Sequence, residues 1–102
     1  MLANFMINYE EVDGRLVCHF NGRMDTLASN AIENDVFDQV LRRRLPTVFD
    51  LKEVTYVSSA FFRICLKAAR ATKEMKISMI NTSPLVKEGF KITGLDRIMD
   101  VQ

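Results

Sequence analysis

The chain lacks tryptophan, and its 102 residues include only two cysteines, two prolines, four glycines and one histidine. Each shortage excludes something. Cys18 and Cys65 are too few for a disulfide framework and do not by themselves make a metal site. Both stand in apolar stretches, the setting of buried free thiols in a reducing cytoplasm. His19 falls in the middle of a strand-like run, where it reads as a sheet-face residue, so Ser-His-Asp and Cys-His catalysis have no basis. No Cys, His and carboxylate cluster has zinc spacing. Gly14, Gly22, Gly89 and Gly94 are scattered and build no phosphate loop. No apolar run approaches the ~20 residues that span a bilayer. The opening MLANFMINYEE has no basic n-region or long apolar h-region, so no secretory signal is expected. The net charge of +1 gives no ground for nucleic-acid binding. No cofactor and no metal are expected. The chain reads as a binding module and not as an enzyme.

What is present is ordinary globular composition, 48% hydrophobic and 26% charged, at a length that favours one domain over residues 1–102. Residues 5–11 and 15–21 flank Val12–Asp13–Gly14, and an Asp-Gly between strand-like runs signals a hairpin. Ala28, Ile32, Val36 and Val40 fall four apart, with Phe37 and Leu41 widening the stripe, so 26–45 is expected to be a helix. Asp25 or Thr26 caps it, Arg42, Arg43 and Arg44 occupy its last turn, and Pro46 stops it. A short strand is expected at 47–51, followed by a turn-and-strand segment, KEVTYV. A second helix at 59–75 buries Phe61, Cys65, Ala68 and Ala69. A strand follows at 76–81, and Ser83–Pro84 starts a third helix that ends near Gly94. A last short strand lies at 97–101. The six methionines read mostly as core filler. The order β-β-α-β-α-β-α-β implies a small α/β sandwich with a mixed, mostly parallel sheet, an N-terminal antiparallel hairpin and about three helices.

The stretch TYVSSAFFRI, residues 55–64, carries the most suggestive chemistry. Ser58 and Ser59 stand at the start of the second helix, where backbone N–H groups are unpaired and the dipole end is positive. A serine there is a cap. The same place suits a phosphoserine, whose charge those N–H groups can receive. Arg63, Lys67 and Arg70 share one helix face and Lys73 extends it, either as a solvated face or as a docking strip for an acidic partner. Asp25 either caps the first helix or orients a loop. Asp50 either anchors a turn or contacts a partner.

Four segments together resemble the STAS domain family, the anti-sigma factor antagonists. They are GRMD at 22–25, TVFDL at 47–51, VSSAFF at 57–62 and NTSPLVKEGFKITGLD at 81–96. The resemblance covers nearly the whole length. It implies a cytoplasmic, bacterial regulator of transcription or signalling that works by partner switching. In such proteins a serine kinase that is also an anti-sigma factor phosphorylates the antagonist on a serine. The unmodified form binds that kinase, and the phosphorylated form lets go. By position the phosphoacceptor is Ser58, with Ser59 as second choice. Val57 stands where the family has Asp, and Ala60 where it has Gly. The partner surface implied comprises Asp25, Val57, Ser59, Ala60, Arg63 and Lys67. Two alternatives stand beside this expectation: a phosphorylation-independent scaffold of the same fold, and a small-ligand carrier. A homodimer is compatible with the sequence.

Overall fold

Asp13 and Gly14 both adopt positive φ, 51° and 76°. Asp and Gly tolerate that backbone, and a two-residue turn of this hand matches the twist of paired strands. The turn joins β1 (Ile7–Val12) to β2 (Arg15–Met24) as an antiparallel hairpin, with Ile7 opposite Phe20 and Val12 opposite Arg15. The computed structural model describes residues 6–72 and 77–102. After the hairpin come α1 (Thr26–Arg43), β3 (Thr47–Val57), α2 (Ser59–Ala71), β4 (Ser78–Ile80), α3 (Pro84–Ile92), a 3-10 turn at Leu95–Arg97 and β5 (Asp100–Val101). The sheet order is β1-β2-β3-β4-β5, antiparallel only between β1 and β2. This is the mixed α/β architecture expected.

One core holds the layers together. Leu16, Cys18 and Phe20 from β2, Phe49 and Leu51 from β3, and Met79 from β4 form one cluster with residues of all three helices. Ile32, Val36 and Val40 come from α1, Phe61, Ile64, Cys65 and Ala68 from α2, and Val86 and Phe90 from α3. The helices therefore share one face of the sheet. Phe20 lies at its centre, edge-on to Phe49 at 4.8 Å and to Phe61 at 5.1 Å between ring centroids. Met24, Met79 and Met99 are buried, as filler of the core. The Tyr9 hydroxyl donates to Asp35 at 2.7 Å, and Arg43 pairs with Glu11, so both contacts tether β1 to α1.

Several boundaries differ from those expected, each for a local reason. β3 is one strand of eleven residues, not a strand at 47–51 followed by a turn. Between His19 and Asn21, β2 advances two residues while β3 advances three, from Asp50 to Glu53, and a second shift follows Gly22. These bulges absorb the polar Lys52–Glu53 step and return Val54 to the core. α1 ends at Arg43, because Arg44 turns left-handed (φ 52°) and gives its N–H to the Val40 carbonyl. Arg44 is thus a C-cap and lies outside the last turn. The cap at the other end is Asp25, not Thr26. α3 ends at Ile92 and Gly94, at φ 76°, opens the 3-10 turn. That turn takes in Arg97, the first residue expected in the last strand, and Ile98 caps it, so β5 is only Asp100–Val101. The end expected for the second helix and the start expected for the next strand, with Lys73, fall at 73–76, outside the described residues.

Candidate functional site

α1, α2 and α3 begin where β2, β3 and β4 end, so their N-termini gather along the carboxyl edge of the parallel strands. In open α/β sheets this edge is the usual place for binding. Each helix is capped by its own side chain: Asp25 accepts from Ala28 N–H, Ser58 from Phe61 N–H, and Ser83 from Val86 N–H.

Ser58 does more than cap. Its hydroxyl donates to the Met24 carbonyl at 2.8 Å, and its backbone N–H donates to the same oxygen at 2.9 Å. The buried Ser29 hydroxyl reaches that oxygen as well, at 3.3 Å. Met24 and Val57 are register partners, so the last pair of the β2–β3 ladder runs straight into this cluster. Two of the segments singled out in the sequence, GRMD and VSSAFF, meet here. Ser58 is half-buried, and Ser59, the first residue of α2, is exposed. The first N–H groups of a helix have no intrahelical partner and suit an anion.

The remaining candidate residues divide. Val57 is half-buried at the end of β3. Ala60 is 5% exposed, so its methyl shapes the surface from below and does not present itself on it. Arg63 and Lys67 face α1. Glu33 accepts from the Arg63 guanidinium at 3.0 Å and from the Lys67 ammonium at 2.7 Å, and Arg63 also donates to the Asn30 side-chain amide oxygen at 3.0 Å. Lys67 also lies 5.1 Å from the Phe37 ring centroid. The Lys67 and then the Arg63 hydrogen bonds hold the Glu33 carboxyl below its ordinary range. The basic face of α2 is therefore partly spent on a clamp between helices, while Arg70 remains exposed.

Exposed apolar groups stand in the first turns of the two other helices. Leu27, in the first turn of α1, is 82% exposed, and Leu85, in the first turn of α3, is 79% exposed. Both sit off the buried stripe of their helix. Tyr56, at the end of β3, is also exposed and carries the Arg23 guanidinium 4.4 Å from its ring centroid.

The other face of the sheet holds a polar chain. His19 puts Nδ1 2.8 Å from Asp50 and Nε2 2.8 Å from Glu10. Asp50 also accepts from the Asn81 side chain at 2.8 Å and from Lys52 N–H at 3.1 Å. Burial works to raise the Asp50 carboxyl, but Asn81, the Lys52 N–H and His19 together hold it below its ordinary value. Here the segments TVFDL and NTSP meet. Asp50 thus anchors the β3 bulge and the connection to α3. Sequence spacing could not show Glu10 as a neighbour of His19 or Asn81 as a neighbour of Asp50, because the register brings them together. Among the described residues no three His, Cys, Asp or Glu side chains are placed to hold a metal ion, and no helix is long and apolar enough to cross a membrane.

The STAS domain family model matches residues 6–102. The chain belongs to the STAS domain family. This STAS domain is 26% identical over 97 residues to BtrV of Bordetella bronchiseptica, a candidate anti-sigma factor antagonist, covering 93% of this chain and 84% of that protein. Its fold is similar to a candidate anti-sigma factor antagonist from Thermotoga maritima, with a TM-score of 0.84 at 17% identity, over 99% of this chain and 89% of that one. It is also similar to the anti-sigma factor antagonist SpoIIAA in two forms. Against the unphosphorylated form the TM-score is 0.69 at 15% identity, over 90% of this chain and 96% of that one. Against the phosphorylated form, from Bacillus, it is 0.72 at 17% identity, over 94% and 90%.

Proposed function

We propose that this STAS domain is an anti-sigma factor antagonist that binds a protein partner at the carboxyl edge of its sheet and releases it when Ser58 is phosphorylated. The observation that carries this reading is the position of Ser58: it caps α2 among three helix N-termini, with Leu27 and Leu85 exposed in the flanking helices. Exposed leucines beside polar, hydrogen-bonding groups make a surface that a protein partner covers. The partner is a serine kinase that is also an anti-sigma factor. The naming of BtrV and SpoIIAA as such antagonists, one of them only as a candidate, supports the class of partner. SpoIIAA in its phosphorylated form retains a fold similar to this chain, so the modification is compatible with the architecture.

The roles divide by position. Ser58 is the phosphoacceptor and Ser59 the exposed hydroxyl beside it. Asp25 and Val57 border the site, and Ala60 sets its depth. Arg63 and Lys67 supply a cationic flank whose charge Glu33 tempers. A phosphate on Ser58 cannot donate to the Met24 carbonyl as the hydroxyl does, so it swings outward and adds close to two negative charges to the edge. Partner release follows from charge and bulk at the interface, with no refolding. The domain acts by binding: both nitrogens of its one histidine are held by carboxylates and serve no serine.

A second reading has one observation in its favour. The Ser58 hydroxyl is already committed to Met24, as in a structural cap, and a phosphorylation-independent scaffold would need no more. Calorimetric titration of the kinase partner with wild-type protein and Ser58→Asp separates the two. Loss of affinity with a melting temperature close to that of wild type supports the switch. Equal affinity for both proteins supports the scaffold.

A further inference from the structure

The geometry around His19 points to a proton-controlled strap across the face of the sheet opposite the helices. A neutral imidazole carries one N–H, and an imidazolium carries two. Both ring nitrogens here stand 2.8 Å from a carboxylate oxygen, of Asp50 on one side and Glu10 on the other. Carboxylates only accept, so both contacts are hydrogen bonds only when both nitrogens are protonated. We propose that uptake of one proton by His19 joins β1 to β3 across β2, and that its loss releases one of the two carboxylates.

The strap reaches further than three strands. Asp50, which receives His19, also receives the Asn81 side chain. Asn81 follows β4 directly and holds a left-handed backbone, φ 58°, two residues before the Ser83 cap of α3. The chain Glu10–His19–Asp50–Asn81 thus starts on one edge strand and ends at the start of a helix. When His19 gives up its proton, Asp50 loses a charged donor, and the Asn81 turn loses part of its support.

The groups that face His19 are few. Glu10 approaches from β1 and Asp50 from β3, the His19 strand neighbours on this face, Val17 and Asn21, carry no charge, and the next charged residues along β3 are the exposed Lys52 and Glu53, the latter the register partner of Asn21. The residue at the same level on β4 is Ile80, and no cation makes an ion pair with the ring or its two carboxylates among the described residues. The Glu10 hydrogen bond favours the charged ring, burial works against it, and the Asp50 contact favours it again, with a net rise above the ordinary value. A raised folded value means that the strap stabilises the fold fully below the unfolded value, about 6.5. That contribution is lost as pH rises through the folded value.

The test is NMR of the uniformly labelled full chain between pH 5 and pH 9. The expected result is a His19 ring with two N–H groups at the acid end, titrating at a midpoint above about 6.5. Glu10→Gln should lower that midpoint, and the Asn81 side-chain amide should shift with the same midpoint as the ring. A ring with a single N–H at the acid end, or a midpoint at or below about 6.5, overturns the strap. An Asn81 amide that ignores the His19 titration overturns its extension to α3. Glu10 lies at an exposed position, so Glu10→Gln is expected to fold. These readouts need no partner and no phosphate, so they stand or fall apart from the proposed function.

Discussion

The Ser58 hydroxyl donates to the Met24 carbonyl at 2.8 Å, and with the Ser58 backbone N–H on the same oxygen at 2.9 Å it joins the end of β3 to the end of β2. The residue at which a phosphate is proposed is therefore also a structural part. Its two roles can be separated by substitution. Ser58→Ala removes both the cap and the Met24 bond, and should cost about 0.5–2 kcal/mol. In a domain of this size that is a fall of several degrees in melting temperature. Ser58→Asp keeps a cap acceptor and loses the donor, so its melting temperature should lie closer to wild type. Thermal unfolding of the two variants decides the point. Both variants lack the donor to Met24, so a Ser58→Asp protein less stable than Ser58→Ala would show that repulsion between the new carboxylate and the Met24 carbonyl outweighs the cap.

Glu33 clamps Arg63 and Lys67 across α1 and α2. Its carboxyl is held low in the fold, so the clamp stabilises above the unfolded value, about 4.3, and is lost as pH falls through the lower folded value. Arg63 and Lys67 are well exposed, so the effect is small, about 0.2–1 kcal/mol per pair. Urea unfolding of Glu33→Gln should show a modest loss at pH 7 that shrinks toward pH 3. An equal loss at both pH values would mean that the charge of Glu33 is not what holds the helices.

The same clamp bears on binding. If Arg63 and Lys67 flank the interface, Glu33→Gln frees positive charge and should speed association with an acidic partner, most at low salt. Stopped-flow association at two salt concentrations reads this directly. Rates that do not depend on salt in either protein would remove these two side chains from the interface.

Phe20 packs edge-on to both Phe49 and Phe61 at the centre of the core. Phe20→Ala should cost about 3–5 kcal/mol and leave the domain marginal. Phe20→Leu, which retains most of the volume, should cost less. Chemical denaturation checks the order, and a Phe20→Ala protein with near wild-type stability would contradict this packing.

Cys18 and Cys65 are fully buried in the core cluster. Burial pushes the Cys18 thiol up to about 12, against a small opposing pull from Arg43, and burial raises Cys65 as well. Both should resist a thiol-directed reagent at pH 8 in the folded protein and react at once in denaturant. Rapid labelling of either in the native protein would show that the core opens there.

Much of this was legible in the residues, and what was not has a common cause. Local signals carry local structure: Asp13–Gly14 marks the hairpin turn, the Ile32–Val36–Val40 stripe marks α1, and Ser83–Pro84 marks the start of α3. The full length of β3 was hidden because its bulges break the alternation that identifies a strand. Ser58 was recognisable as a cap from its place before a helix, but its second bond goes to a backbone carbonyl 34 residues away. Backbone acceptors leave no mark in a sequence. Glu33, Glu10 and Asn81 are ordinary surface residues until the register and the helix pairing bring them to Arg63, His19 and Asp50. Leu85 reads in the sequence as one apolar residue of the third helix with Val86 and Phe90, and only the packing shows that it and Leu27 turn away from the core.

The most direct test is the modification state of Ser58. Tryptic cleavage after Lys52 and Arg63 yields one peptide, EVTYVSSAFFR, that holds both serines and can be fragmented to tell them apart. The protein should be purified from its native host with phosphatase inhibitors present, in growth and under stress. The account predicts phosphate on Ser58 in a fraction of the molecules, and loss of the bound partner in that fraction. An unmodified peptide under every condition, with the partner still bound, would contradict it.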